Sequence, residues 1–204
     1  MAYSPVNMRN VSLIFLLVLI VITVGVLLVG QRLDARWAGG SGGIEPCQAT
    51  LVYGDTVVGR GQIMSTSADD YAEYELCDGT HLYLDQNTQL RLSYYRNPAA
   101  QTETQLELIQ GRVIVDGLAS IKARNLIAQV KGSACEFVHY SWRDELDVTP
   151  LATDACKIKT PAFTPTASLT SRFNTFDGSL ISTNSFDPST SAAKSFYEWT
   201  GLRP

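Results

Sequence analysis

The residue types best suited to chemistry in this chain are four cysteines and two histidines. Two of each share one spacing, Cys77-x-x-x-His81 and Cys135-x-x-x-His139. Two Cys/His pairs make up the ligand set of a structural zinc site. In extended chain, however, four residues span about 13 Å, too far for two ligands of one ion. No metal site is expected. Disulfides are the preferred reading, because Cys47, Cys77, Cys135 and Cys156 are even in number and all follow the apolar N-terminal segment, as suits an oxidising compartment. Four cysteines allow three connectivities. Cys47–Cys77 with Cys135–Cys156 is favoured because each bond closes a local loop, the first at the opening strand and the second across the irregular hairpin after Trp142.

Nucleophilic catalysis needs a Ser or Cys, a base and an orienting acid, yet the chain has no G-x-S-x-G elbow and only His81 and His139 as imidazoles. His81 is expected on the wet face of a strand and His139 in cross-strand packing. Asp69-Asp70 and Asp144-Glu145 with Asp147 lack the alternating oxygen ligands and glycine of a calcium loop, so they read as solvated turns. "GDTVVGRGQ" has glycines but neither the lysine nor the following helix of a phosphate loop. No catalytic residue and no cofactor are expected, and the protein is not read as an enzyme. The exception to filler is "RLSYYRNP", where Arg91, Tyr94, Tyr95 and Arg96 crowd a short edge; Tyr and Arg are common interface anchors. These four are the candidate partner surface, set against plain aromatic packing with a solvated arginine.

The elements that must position these residues begin after a membrane anchor. From Asn10 to Gln31 there is no charged residue, and "VSLIFLLVLIVITVGVLLVG" is long enough to cross about 30 Å of hydrocarbon at about 1.5 Å per residue. A cleavable signal would be shorter and end at a small-x-small site, which "GQRLDARWAGG" offers poorly. The chain is therefore divided into a cytoplasmic N-terminus (1–9), a transmembrane helix (10–31), a flexible spacer (32–46) rich in glycine, a β domain (47–159) and a Ser/Thr/Pro-rich tail (160–204). Arg9 on one side against Arg32 and Arg36 with Asp34 on the other leaves orientation to the cysteines, which place the bulk outside the cytoplasm. Beyond the first 38 residues the chain holds 13 basic and 19 acidic residues, a poor surface for nucleic acid.

From Ala49 onward, short segments alternate apolar and polar residues between turns. Strands are expected at "ATLVY", "TVV", "AEYEL", "THLYL", "QLRLSYY", "TQLELI", "RVIVDG", "LIAQV", "CEFVHYSW", "ELDV" and "CKIK". In "DGTHLYLDQNTQLRL", Leu82, Leu84, Leu90 and Leu92 share parity and should fill one interior row, leaving the polar residues to turns and wet faces. Asp78-Gly79 reads as a type I′ turn. The fold class is all-β, a small solenoid-like stack or a sandwich. The tail is too poor in apolar residues to hold one conformation alone. Its Phe163, Phe173, Phe176 and Phe186 suit it to drape along a neighbour, and Asp187-Pro188 can open one short helix.

These pieces together resemble the FecR family, the extracytoplasmic domain named after the ferric-citrate regulator. The matching stretches are "VYGDTVVGRGQIMSTSADDYAEYELCDGTHLYLDQNTQLRLSYYR", "TQLELIQGRVIVD" and "IAQVKGSACEF", covering about Ala49 to Tyr140. The steps fall at Gly54-Asp55, Gly61 to Thr66, Asp78 to Leu90, Leu106 to Val113 and Val130 to Phe137; "GSACEF" departs from the family's G-T-x-F. The resemblance implies a small solenoid-like β fold that binds a protein partner in the bacterial envelope. The family's cytoplasmic helical part, which holds a sigma factor, is not expected here, because nine residues precede the span. The expected function is thus a membrane-anchored extracytoplasmic binding module in envelope assembly or signalling. A structural subunit of a multi-protein complex and a glycan or cell-wall recognition domain are the alternatives.

Overall fold

The computed structural model describes residues 48–96, 103–159, 162–189 and 193–202. The expected anchor, the spacer and Cys47 lie outside the described residues. No described helix is long and apolar enough to cross a membrane.

The alternating segments form strands because each can bury one side and wet the other. In order they are β1 Ala49–Leu51, β2 Val57–Val58, β3 Ile63–Ser65, β4 Ala72–Leu76, β5 His81–Leu84, β6 Gln89–Arg96, β7 Glu103–Asp116, β8 Leu118–Ala123, β9 Leu126–Lys131, β10 Cys135–Tyr140, β11 Glu145–Pro150, β12 Cys156–Ile158, β13 Leu169–Asn174 and β14 Leu180–Ser185; one helix, α1, covers Lys194–Thr200. All fourteen strands join one hydrogen-bonded sheet with two arms. The first runs β14-β13-β11-β10-β7-β5-β4-β1-β2, and the second runs β3-β6-β7-β8-β9-β12.

Strand β7 belongs to both arms. Its Glu103–Gln110 half pairs with β6, and Thr104–Glu107 pairs in parallel with β8. From Gly111 onward it pairs with β10 and β5. The sequence read "TQLELI" and "RVIVDG" as two strands; they are one strand that changes partners at Gly111. Leu82, Leu84, Val113, Val115, Phe137 and Val148 of the first arm share one core with Met64, Leu90, Leu92, Leu106, Ile121 and Ile158 of the second. The sheet therefore folds over on itself and encloses its apolar row, nearer to the sandwich expectation. The solenoid expectation is not met, since rungs stacked in parallel would dominate, and among the described pairings only β7–β8 is parallel.

The expected leucine row is present, and all four leucines are fully buried. The polar positions among them need correction, because Thr80 and Thr88 are buried too. Thr88 Oγ1 accepts from the Arg112 amide at 3.0 Å and donates to the Arg112 carbonyl at 2.9 Å. That docking presses the threonine onto Gly111, whose φ is +92° and where a Cβ would stand 2.6 Å from Thr88 Cα. The other end of β7 repeats the device: Leu118 N–H donates to Thr80 Oγ1 at 3.0 Å beside Gly117, where a Cβ would lie 2.8 Å from Thr80 Cα. Each threonine lacks water but has its hydrogen bonds, as burial of a hydroxyl requires.

The Asp78-Gly79 turn also differs from expectation. Only Gly79 has positive φ (+79°), and its N–H reaches the Leu76 carbonyl at 2.9 Å. Asp78 Oδ1 instead accepts from the Thr80 N–H at 3.0 Å. This is a three-residue hairpin loop with glycine in the left-handed region, not a type I′ turn.

The tail completes the fold. β13 pairs with β11 and β14 with β13. Of its phenylalanines, Phe173 joins the main core with Phe163 edge-on at 5.4 Å, Phe186 packs on Tyr197 at 5.5 Å, and Phe176 stays exposed. The helix starts at Lys194 after Ala193 and has no side-chain cap. Asp187 does not open it; its Oδ1 accepts from the Ser189 N–H and hydroxyl in a separate turn.

Candidate interaction site

Cys135 and Cys156 form a disulfide between β10 and β12, with Cα atoms 6.2 Å apart, so it ties one arm of the sheet to the other. Cys77 is disulfide-bonded as well; its favoured partner, Cys47, lies outside the described residues. Neither Cys77 nor Cys135 is therefore a thiolate ligand beside its histidine. His81 Nδ1 lies 3.0 Å from Glu73 Oε1 across the β4–β5 hairpin, on a partly exposed face. His139 is buried, and its Nδ1 stands 2.8 Å from the Leu108 carbonyl. A carbonyl only accepts, so Nδ1 carries the proton. Burial pushes the ring pKa below its usual value, with the Leu108 and Ile109 backbone acting the other way.

The four candidate interface residues divide. Arg91 forms a cross-strand ion pair with Glu107 at 2.6 Å, at a position where β3 also covers β6. Beyond it, Tyr94, Tyr95 and Arg96 pair through their backbones with Gln105, Thr104 and Glu103 of β7. Strand β3 ends its pairing at Arg91, so among the described residues no strand flanks this half of β6 on its other side. The side chains of Tyr94, Tyr95 and Arg96 lie outside the described residues.

Sequence reasoning missed a charged ladder on the outer face of the first arm. Arg112 of β7 stands 3.4 Å from Asp85 and 3.2 Å from Glu136 of β10. Arg172 of β13 holds Asp147 of β11 through two contacts of 2.6 and 2.7 Å, with Glu145 at 3.5 Å and the Tyr140 ring beneath it. The acidic run 144–147 thus serves cross-strand ion pairs rather than solvated turns alone. Burial raises the Glu136 pKa, opposed by Arg112 and by the Tyr197 and Thr149 hydroxyls. Helix α1 closes over this face with Phe196 and Tyr197, packed with Ile114, Leu151, Tyr71 and Tyr83. The Tyr83 phenol is pushed up to about 12 by burial and by Glu73 and Asp116. The opposite parity of Arg112 and Glu136 to Val113 and Phe137 was the available signal for the ladder.

A cleft of about 310 Å³ opens where β7 changes partners. Asp85, Gln86 and Asn87 come from the β5–β6 turn, Gln110 to Arg112 from β7, and Val138 to Trp142 from the end of β10 and its turn. The locally extended pattern of "QNTQL" and "GRVIVD" brings polar turn residues against an aromatic turn.

Residues 62–145 match the model of the FecR protein family. They form a FecR domain. The FecR domain runs from β3 to the first residue of β11, so it contains both threonine–glycine pairs and Cys135, and the expected resemblance holds from residue 62 onward. Two crystal structures of a proposed anti-sigma factor from Parabacteroides distasonis ATCC 8503 share the fold. The structure at 2.50 Å is 15% identical with a TM-score of 0.50, over 63% of this chain and 61% of that one. The structure at 1.65 Å is 16% identical with a TM-score of 0.51, over 69% and 65%. This chain thus spans less than two thirds of either. Comparison with curated proteins gives no match.

Proposed function

We propose that this chain is a membrane-anchored, extracytoplasmic binding module that engages a protein partner in envelope signalling or assembly. The FecR domain and its fold relatives, described as an anti-sigma factor, support a regulatory rather than catalytic role. The observation that carries the reading is the half of β6 beyond Arg91, which no strand flanks among the described residues. An extended segment of a partner can add to such an edge, its main chain supplying affinity and the residues at Tyr94 to Arg96 supplying selectivity. The uncharged run 10–31 tethers the module, and the disulfides suit a compartment beyond the cytoplasm.

The test is co-purification of the detergent-extracted full chain with and without Tyr95→Ala and Arg96→Ala. A partner present with the parent and absent with the double variant, at unchanged far-ultraviolet circular dichroism, supports the reading. Equal recovery of the same proteins with both forms removes β6 as the docking edge.

A further inference from the structure

The cleft at the β7 crossover has a donor and acceptor pattern of its own. Its charges cancel internally, because Arg112 is shared between Asp85 at 3.4 Å and Glu136 at 3.2 Å. Arg112 is the one cation among the residues that line the cleft, so the lining itself leaves no unmatched cation for a phosphate or carboxylate. His139, one of its lining residues, is 6% exposed and directs its protonated Nδ1 to the Leu108 carbonyl; its Nε2 is buried without a hydrogen-bond partner among the described residues. In the neutral ring that burial favours, Nε2 is an acceptor. That atom is closed off from solvent, so the partly exposed Asp85 carboxylate is the acceptor left for a ligand that donates hydrogen bonds. The amides of Gln86, Asn87 and Gln110 and the Ser141 hydroxyl line the same cleft and can both donate and accept.

The remaining wall is aromatic. Trp142 is 73% exposed, with the Arg143 guanidinium 4.2 Å from its ring centroid, and Tyr140 stands two residues before it. An indole held in water beside neutral amides offers a flat apolar platform with polar groups at its margin. A volume of about 310 Å³ suits a small ligand and lies at the lower end of small-molecule sites. We infer that this cleft binds a neutral saccharide, one sugar ring resting against Trp142 with its hydroxyls donating toward the Asp85 carboxylate and exchanging hydrogen bonds with the amides of Gln86, Asn87 and Gln110. This site is separate from the β6 edge, so it extends the proposed function without depending on it.

Binding is measured on the full chain in detergent, by tryptophan fluorescence and by a panel of neutral oligosaccharides, including N-acetylglucosamine trimer, beside purified peptidoglycan and sulfated oligosaccharides. The expected result is binding to at least one neutral member, weakened roughly fivefold or more by Trp142→Ala and also weakened by Gln86→Ala. Trp199→Ala, on helix α1 and outside the cleft lining, should leave binding unchanged. Retention on peptidoglycan would identify the wall as the source of the sugar, whereas binding of soluble oligosaccharides alone would identify a free glycan. Both variant positions lie in turns, and circular dichroism checks that the fold persists. No binding across the neutral panel, preference for the sulfated compounds, or binding indifferent to Trp142→Ala and Gln86→Ala overturns the inference; in none of these cases is the co-purification result affected.

Discussion

Two glycines, Gly111 within β7 and Gly117 just after it, show how closely single residues constrain this domain. At Gly111 any Cβ meets the backbone of Thr88, and the left-handed φ adds strain of its own. Gly111→Ala should therefore cost on the order of 3 kcal/mol in urea unfolding, whereas Gly79→Ala, which faces open space, should cost about 1 kcal/mol. Equal costs would show that steric contact with Thr88 does not matter. Titration gives a second residue-scale test. The folded pKa of His139 lies below 6.5, so its contribution is present above 6.5 and lost as pH falls toward the folded value. Glu136 has the opposite sign: its folded pKa lies above 4.5, so its contribution is present below 4.5 and lost as pH rises through the folded value. His139→Gln should flatten the acid-side fall, and Glu136→Gln the fall above 4.5, in the unfolding midpoint followed against pH. The threonines partnering the glycines were legible as turn residues only. Nothing in a single sequence says that a threonine will be buried against a glycine more than twenty positions away.

At the scale of elements, the arms of the folded sheet are held by β7 and by the Cys135–Cys156 bond. Their separation of 21 residues predicts a loop-closure contribution of about 3 kcal/mol. Cys135→Ala with Cys156→Ala should lower urea stability by about that amount; an unchanged midpoint would mean that the sheet alone sets the arrangement of β10 and β12. Helix α1 has few residues and no side-chain cap, so its stability comes from tertiary contact through Phe196 and Tyr197. Ending the chain before Ala193 should expose the apolar face of Ile114, Leu151 and Tyr83 and give strong binding of a hydrophobic dye with little loss of strand signal. Central strands were readable because alternation survives wherever one face is buried, as at "AEYEL" and "LIAQV". Strands β13 and β14 were not, since "LTSRFN" and "LISTNS" carry few apolar residues and gain order from the edge of β11. The helix was placed early because Asp187-Pro188 is a sound start signal locally, but burial of Phe196 and Tyr197 fixes it further on.

For the whole molecule, the FecR pattern was legible because it is an ordered series of turns and leucines. It disclosed less of the interaction site, since the cleft joins three turns distant in sequence and the ladder depends on register. The central proposal is that the FecR domain is displayed beyond the bilayer and holds a protein there through the half of β6 that no strand flanks among the described residues. The most direct measurement is crosslinking with a membrane-impermeant reagent on sealed right-side-out vesicles carrying the parent chain or the Tyr95→Ala, Arg96→Ala form. The account predicts one discrete protein adduct from sealed vesicles, lost in the double variant. An adduct that forms only after the vesicles are opened, or one that persists unchanged in the double variant, would contradict it.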